Sequence, residues 1–174
     1  MNPTNDVELS QIHEVTSLFS REGVEHWLFG GWAVDFRVGA VTRPHMDIEF
    51  LIWERDVTRA VELLLAAGYV ESGRVEGCVY LRKADQLLEL YLMDRNEQGL
   101  PFCLGPWKDW PLAPGDLEGP PGRIADVVCP TVTLRLLLET KVDYQKHVPD
   151  RAPREKDLRD IERLRQLVAA EGKQ

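Results

Sequence analysis

The alternation of apolar and polar residues predicts a chain of helices and short strands. Apolar positions at helical spacing predict a first helix over residues 6–22, which Gly23 ends. The short apolar segment over residues 24–29 predicts a buried strand that runs directly into a pair of glycines, Gly30 and Gly31. Because glycine has no side chain, such a turn lets the backbone come close to a ligand.

The next strand carries two acids on one face. Alternation in the segment "HMDIEFLI" places Asp47 and Glu49 on one side of the strand and apolar residues on the other. A third acid, Glu89, stands in the middle of an apolar strand predicted over residues 87–93, where a charged residue is unusual. Two acids on one face need a cation, and Glu89 needs either the same cation or an ion pair with an arginine.

The remaining elements predict an α+β fold, in which helices flank a mixed β-sheet. Between residues 99 and 122, five glycines and six prolines predict an irregular connection, an open loop or a few short strands. We therefore place a core at residues 1–97 and a smaller, mostly helical C-terminal lobe at residues 98–174. The other predicted elements are a helix over 55–67, strands over 69–74, 78–82 and 123–130, and helices over 131–146 and 154–170, with Thr131 as N-cap of the former.

Composition narrows the class of protein. The chain has 29 acidic and 21 basic residues, a formal charge of −8, which repels a phosphate backbone and argues against nucleic acid as the main partner. No segment approaches the ~20 apolar residues of a membrane span, and the first residues lack the basic flank and apolar run of a secretion signal. The three cysteines are widely spaced, so we expect them to be reduced in a cytoplasmic protein.

The acids and the glycine pair together indicate a site for metal and phosphate. Asp47 and Glu49, two residues apart on a strand, suit Mg²⁺, which binds carboxylates together with substrate phosphates. Glu89 would complete the set from a neighbouring strand. A glycine turn at the start of a helix points backbone N–H groups at a ligand, which suits phosphate. Taken singly, each feature also fits an ordinary turn, a solvated strand face or a buried ion pair.

The segment from Gly30 to Glu49 resembles the polymerase-beta type of nucleotidyltransferase core, whose signature is a glycine pair, a spacer and an acid-x-acid strand. More narrowly, it is similar to the small aminoglycoside and lincosamide nucleotidyltransferases. The resemblance covers residues 24 to about 95, and it departs at the second and third carboxylates, which are Glu where these enzymes typically have Asp. The matching residues are Trp32, Asp35, Gly39, Arg43, His45, Asp47 and Glu49.

The resemblance implies transfer of a nucleoside monophosphate, expected to be AMP from ATP or another NTP, to a hydroxyl of a small-molecule acceptor. Asp47, Glu49 and Glu89 would be both catalytic residues and ligands of two Mg²⁺ ions, with Glu89 nearest the attacking hydroxyl. We expect a monomer or a homodimer that binds no nucleic acid and no membrane. The residues expected to bind the nucleotide are Gly30, Gly31, Trp32, Arg43, His45 and Lys141.

Some of these assignments have structural alternatives. His45 is equally a structural residue at the start of a strand, and Arg43 is equally a solvated loop charge. Lys141 fits an ordinary helix surface. In the last predicted helix, Lys156 and Asp160 lie one turn apart, which predicts a salt-bridged outer face.

The acceptor is predicted from charge as well as resemblance. The net negative charge and four acids near the expected cleft favour a polycationic aminoglycoside, whereas Trp107 and Trp110 suit a lincosamide. Two other classes stay open: a non-catalytic nucleotide-binding module in a regulatory or toxin-antitoxin pair, and a nucleotidyltransferase that modifies proteins. The four acids are Asp35, Asp109, Asp116 and Glu118.

Overall fold

The fold is built on a six-stranded mixed sheet. The computed structural model describes residues 3–108, 112–144 and 154–172. In chain order the strands are β1 (His26–Phe29), β2 (Asp47–Trp53), β3 (Val70–Val75), β4 (Cys78–Lys83), β5 (Gln86–Arg95) and β6 (Pro101–Cys103). They lie side by side in the order β1-β2-β5-β4-β3, with β6 on the end of β5. The pair β2–β5 is parallel, and the other pairs are antiparallel.

Five α-helices within the described residues complete the α+β fold. Near the C-terminus, α4 (Leu134–Val142) and α5 (Glu155–Glu171) pack against each other and against α2 (Gly30–Val38). None of the described helices combines the length and the apolar character that crossing a membrane requires. The helices are α1 (Pro3–Glu22), α2 (Gly30–Val38), α3 (Val57–Ala66), α4 (Leu134–Val142) and α5 (Glu155–Glu171).

The apolar face of β2 anchors the sheet against α1. Ile48 and Phe50 are fully buried, and Phe50 packs edge-on against Phe19 of α1, with 6.5 Å between the ring centroids. Asp47 and Glu49 are only partly buried, so the predicted alternation along this strand is confirmed. Because a slip of one residue would bring both acids into the core, the apolar pair fixes the face that the acids occupy.

Residues 123–130 do not form the single strand that the sequence predicts. They belong to a hairpin of two short strands, β7 (Gly122–Ile124) and β8 (Val127–Cys129), whose turn places Ala125 at a φ of +52°. The pattern of apolar residues does not reveal this turn, because alanine rarely adopts a positive φ and so gives no turn signal in the sequence.

The start of α4 also differs from the prediction. Thr131 is not its N-cap, because this residue pairs with Leu28 of β1 and its hydroxyl donates to the carbonyl of Pro120. Thr133 caps the helix instead and accepts from the Leu136 N–H at 3.2 Å. The part of the predicted helix beyond residue 144 lies outside the described residues.

The connection between core and C-terminal helices contains one more strand of the sheet. Residues 101–103 pair with the end of β5 as β6, although they lie beyond the predicted lobe border at residue 97. This is one of the few short strands that the segment was expected to hold. The division into two lobes stays a prediction.

The cap at Thr133 gives a test of the fold. Thr133→Ala should lower the free energy of unfolding by about 1–2 kcal/mol, because it leaves the Leu136 N–H unpaired and removes a hydrogen bond to Asp116. Thr133→Ser keeps the hydroxyl and should stay within about 0.5 kcal/mol of the natural protein. Urea denaturation measures both, and equal losses in the two variants would contradict the assigned cap.

Candidate active site

The three predicted acids meet where β2 and β5 run side by side. In the parallel register Glu49 lies opposite Glu89, and Asp47 lies opposite Leu87. All three carboxylates line one cleft of about 330 Å³. The strand-end acids of β5 do not line this cleft, so the acid in the middle of the strand is the one that the fold brings to Asp47 and Glu49.

The glycine pair makes room for the side chains of the cleft. Gly30 has a φ of +62°, and a Cβ atom there would lie 1.5 Å from the Glu49 carboxylate. A Cβ atom at Gly31 would lie 2.5 Å from Nη2 of Arg43 and 2.7 Å from Nδ1 of His45. The Gly31 N–H also donates to Glu49 Oε2 at 3.3 Å. The two missing side chains therefore let an acid and a base of the site approach the same turn.

Burial and neighbouring carboxyl groups in the cleft raise the pKa values of Glu49 and Glu89. Burial raises the pKa of Glu49 to about 7, and the charges of Asp47 and Glu89 add to this effect against the opposing charge of Lys141. Burial and Asp47 also raise the pKa of Glu89, while the Tyr91 hydroxyl, which donates to this carboxylate at 2.7 Å, opposes the rise. Carboxyl groups that disfavour one another's ionisation favour a bound cation.

The chemistry of these acids fits a hard divalent cation, but the cage is incomplete. Among the described residues, no basic side chain lies within salt-bridge distance of Asp47, Glu49 or Glu89, although the charge of Lys141 acts on Glu49. No three acidic, histidine or cysteine side chains of the described part lie close enough together to hold a metal ion. Mg²⁺ commonly takes one or two carboxylates and completes its shell with water and substrate phosphates.

Four basic side chains line the cleft together with the acids. They are Arg43 from the loop before β2, Lys141 from α4, Arg154 at the N-cap of α5 and Lys156 in its first turn. The predicted outer-face position of Lys156 is wrong: burial, with Arg154 and Arg43 nearby, lowers the pKa of its ammonium group. The sequence did hold a signal, since a helix dipole disfavours cations in the first turn and Lys156 is placed there nonetheless.

A buried network behind the cleft explains the rest of the motif. Asp35 is fully buried and accepts hydrogen bonds from the Thr42 N–H at 2.9 Å and from His45 Nε2 at 2.8 Å. Arg43 donates to His45 Nδ1 at 3.0 Å, and Trp32 stacks on the imidazole ring at 4.4 Å. Trp32 and His45 are buried and lie outside the lining of the cleft, where they support the loop that carries Arg43.

The predicted nucleotide-binding residues therefore divide into two groups. Gly30, Gly31, Arg43 and Lys141 line the cleft. Trp32 and His45 do not line the cleft, so either could affect a bound nucleotide only indirectly, through Arg43. The surface-lysine alternative for Lys141 is wrong, because its side chain is only 13% exposed and pairs with the buried Asp160.

Three of the four acids that were expected to attract a polycationic acceptor do not line the cleft. Asp35 is enclosed by its own network, and Asp116 is 2% exposed and bonded to Thr133 and Arg135. Glu118 is absent from the described lining, and Asp109 lies outside the described residues. Asp35, Asp116 and Glu118 therefore give no support for direct contact with an acceptor in this cleft, and the aminoglycoside preference stays a prediction.

Apolar and aromatic side chains form the remaining wall of the cleft. Trp107 belongs to it, whereas Trp110 lies outside the described residues. Tyr91 connects this wall to the acids through its bond to Glu89. The wall comprises Phe29, Leu51, Tyr91, Cys103, Trp107, Leu112, Leu136, Leu137 and Tyr144.

Three carboxylates beside a glycine turn, facing a set of cations, form the kind of site that enzymes use to handle a nucleoside triphosphate. A model of the aminoglycoside-2''-adenylyltransferase family matches residues 11–164. The chain belongs to this family of nucleotidyltransferases, so the resemblance noted from the sequence is confirmed.

Known proteins share this sequence locally and this fold almost completely. The chain is 38% identical over 42 residues to a 2''-aminoglycoside nucleotidyltransferase of Klebsiella pneumoniae and to one of Escherichia coli, and each match spans 24% of both proteins. Crystal structures of ANT(2'')-Ia with adenylyl-2''-tobramycin and of lincomycin-bound LnuA superpose with TM-scores of 0.78 and 0.72. They are 18% and 20% identical to the chain, cover 95% and 91% of it, and are themselves covered to 92% and 96%. The predicted nucleotidyltransferase fold is confirmed.

The room at Gly30 can be tested against a second glycine. Gly23 and Gly30 both have positive φ, but a Cβ atom at Gly23 would meet nothing within 4 Å. Both alanine variants should lose about 1–2 kcal/mol of stability from backbone strain. Only Gly30→Ala should also push the Glu49 carboxylate aside and lower the rate of nucleotidyl transfer, by about 100-fold. Urea denaturation and the transfer rate measure the two effects, and equal rates in both variants would contradict the steric role.

Proposed function

We propose that this protein is a Mg²⁺-dependent nucleotidyltransferase that transfers AMP from ATP to a hydroxyl group of an aminoglycoside. The observation that carries the proposal is a single cleft lined by three carboxylates from β2 and β5 and by four basic side chains. Asp47, Glu49 and Glu89 offer oxygen ligands, and the four basic side chains offer positive charge to an anion in the same cleft. The family match supplies the reaction class and supports the acceptor.

The carboxylates of the cleft would hold the metal. Asp47 and Glu49 would bind it, and the phosphate oxygens of ATP would complete a ligand set that the described side chains do not complete alone. When bound, Mg²⁺ would neutralise negative charge on the triphosphate. The expected second ion would need Glu89 as a further ligand.

The four basic side chains would hold the triphosphate. Arg43, Lys141, Arg154 and Lys156 approach the cleft from three different elements, so they can contact phosphates along the whole triphosphate. The backbone at Gly30 and Gly31 lines the same space, at the start of a helix where N–H groups favour an anion.

Glu89 is our candidate for the group that accepts the proton of the attacking hydroxyl. It is partly buried, its pKa is raised, and the Tyr91 hydroxyl fixes one carboxylate oxygen at 2.7 Å. A carboxylate with a raised pKa is a stronger base and therefore a better proton acceptor. The basic side chains would contact the pyrophosphate as it leaves.

A lincosamide is the second candidate acceptor. The apolar and aromatic wall around Trp107, Leu112 and Tyr144 favours an acceptor with a large apolar surface over one held mainly by charge. A screen of pyrophosphate release separates the candidates, with each NTP, Mg²⁺, and a panel of aminoglycosides and lincosamides. We expect release with ATP and at least one aminoglycoside. Release with lincomycin alone would replace the acceptor, and release with neither class would overturn the antibiotic assignment.

Removal of one metal ligand tests the reaction itself. Asp47→Asn should lower turnover at least about 100-fold, because several kcal/mol of charge stabilisation are lost and each ~1.4 kcal/mol is a factor of ten. Asp94→Asn is the matched control, since Asp94 is an exposed acid at the end of β5 outside the cleft, and it should retain full turnover. Steady-state pyrophosphate release measures both. Turnover of Asp47→Asn within about tenfold of the natural protein would remove Asp47 from the site.

A further inference from the structure

Asp160, which the sequence predicts on the outer face of the last helix, is instead buried, and it is not one of the three candidate catalytic carboxylates. Its side chain is 1% exposed, yet it holds two of the bases that line the cleft. Arg43 donates to it through Nη2 at 2.9 Å and through Nε at 3.4 Å. The Lys141 ammonium group lies 2.9 Å from the same carboxylate. One acid on α5 therefore joins the loop before β2 to α4.

The charges around Asp160 favour its ionised form. Burial alone would raise the pKa of this carboxyl, but the hydrogen bonds from Arg43 and the charge of Lys141 outweigh burial and lower it. Asp157 lies farther from Lys141, at 3.6 Å, and is held mainly by Arg154.

The orientation of Arg43 depends on this contact. Its remaining nitrogen, Nη1, donates to His45 and to the Pro44 carbonyl, so every nitrogen of the guanidinium group has a partner. A free arginine in a loop would sample many rotamers, whereas this one is fixed at Gly31 with 13% of its side chain exposed. Lys141 is equally enclosed.

We propose that Asp160 is a positioning residue for nucleotide binding, which holds Arg43 and Lys141 at the wall of the cleft where the triphosphate binds. The inference rests on the proposed function, because it assigns the two bases to a triphosphate. Asp160 itself does not line the cleft and touches no reacting atom. Its effect passes through the two bases, and it connects α5 to nucleotide affinity.

Asp160→Asn separates positioning from a purely structural role. The asparagine keeps the shape of the side chain and removes its charge, so Arg43 and Lys141 lose their common anchor. The KM for ATP should rise about tenfold while kcat changes little, as for a loss of uniform substrate binding. If Asp160 has only a structural role, the substitution should instead lower the melting temperature and the active fraction of the protein and leave the KM for ATP unchanged.

Arg163→Met is the matched control. Arg163 Nη1 lies 3.7 Å from the same carboxylate, but its side chain does not line the cleft, so its removal should leave the KM for ATP unchanged. In a Lys141→Met background, Asp160→Asn should raise KM by less than it does alone, because one of its two partners is already gone.

Equilibrium binding makes the test independent of turnover. Calorimetric titration with a non-hydrolysable ATP analogue should give a dissociation constant about tenfold higher for Asp160→Asn than for the natural protein. Equal binding in the two proteins would overturn the inference, whereas no binding to the natural protein would overturn the proposed function instead. If Asp160→Asn does not fold, Asp160→Glu keeps the charge and moves the carboxylate by one methylene group. Weaker binding by that variant supports the inference, and unchanged binding overturns it.

Discussion

The close packing of side chains against the turn at Gly30 and Gly31 is the constraint on which the site depends. The Glu49 carboxylate and the Arg43 guanidinium group occupy positions where ordinary side chains of this turn would lie. An acid and a base can therefore approach the same backbone from two directions. The strand before the turn and the helix after it are both anchored in the core, since Leu28 and Trp32 are buried. The turn is thus a rigid part of the fold.

The acids and the bases of the cleft come from different parts of the chain. The acids lie on neighbouring parallel strands, whose register places Glu49 and Glu89 side by side. Most of the bases come from α4 and the start of α5, far along the sequence. A nucleotide with bound metal carries negative phosphates and a positive ion, so it can interact with the bases and the acids at once. Nucleotide binding would then depend on the packing of the C-terminal helices as much as on the carboxylates, and Asp160 joins these helices to the loop that carries Arg43.

The sequence was informative where a local pattern decides the structure. Alternation along β2 placed Asp47 and Glu49 on the face opposite the core, and a charged residue in the middle of a strand identified Glu89. It was less informative where tertiary packing decides. Helical spacing alone could not show that Lys156 faces a cleft, because the outer face of α5 is defined only by its contacts with other elements. It likewise could not show that Asp35 is enclosed, since its partners come from a later loop.

Mass spectrometry of the acceptor tests the central claim most directly. The natural protein is incubated with ATP, Mg²⁺ and a panel of aminoglycosides and lincosamides, and the antibiotic is analysed for a covalent adduct. We predict that an aminoglycoside gains one AMP group and that pyrophosphate appears in equal amount. Transfer of a phosphate group alone would contradict the nucleotidyl transfer derived from the cleft. Unmodified antibiotics throughout the panel would contradict the assignment of the acceptor.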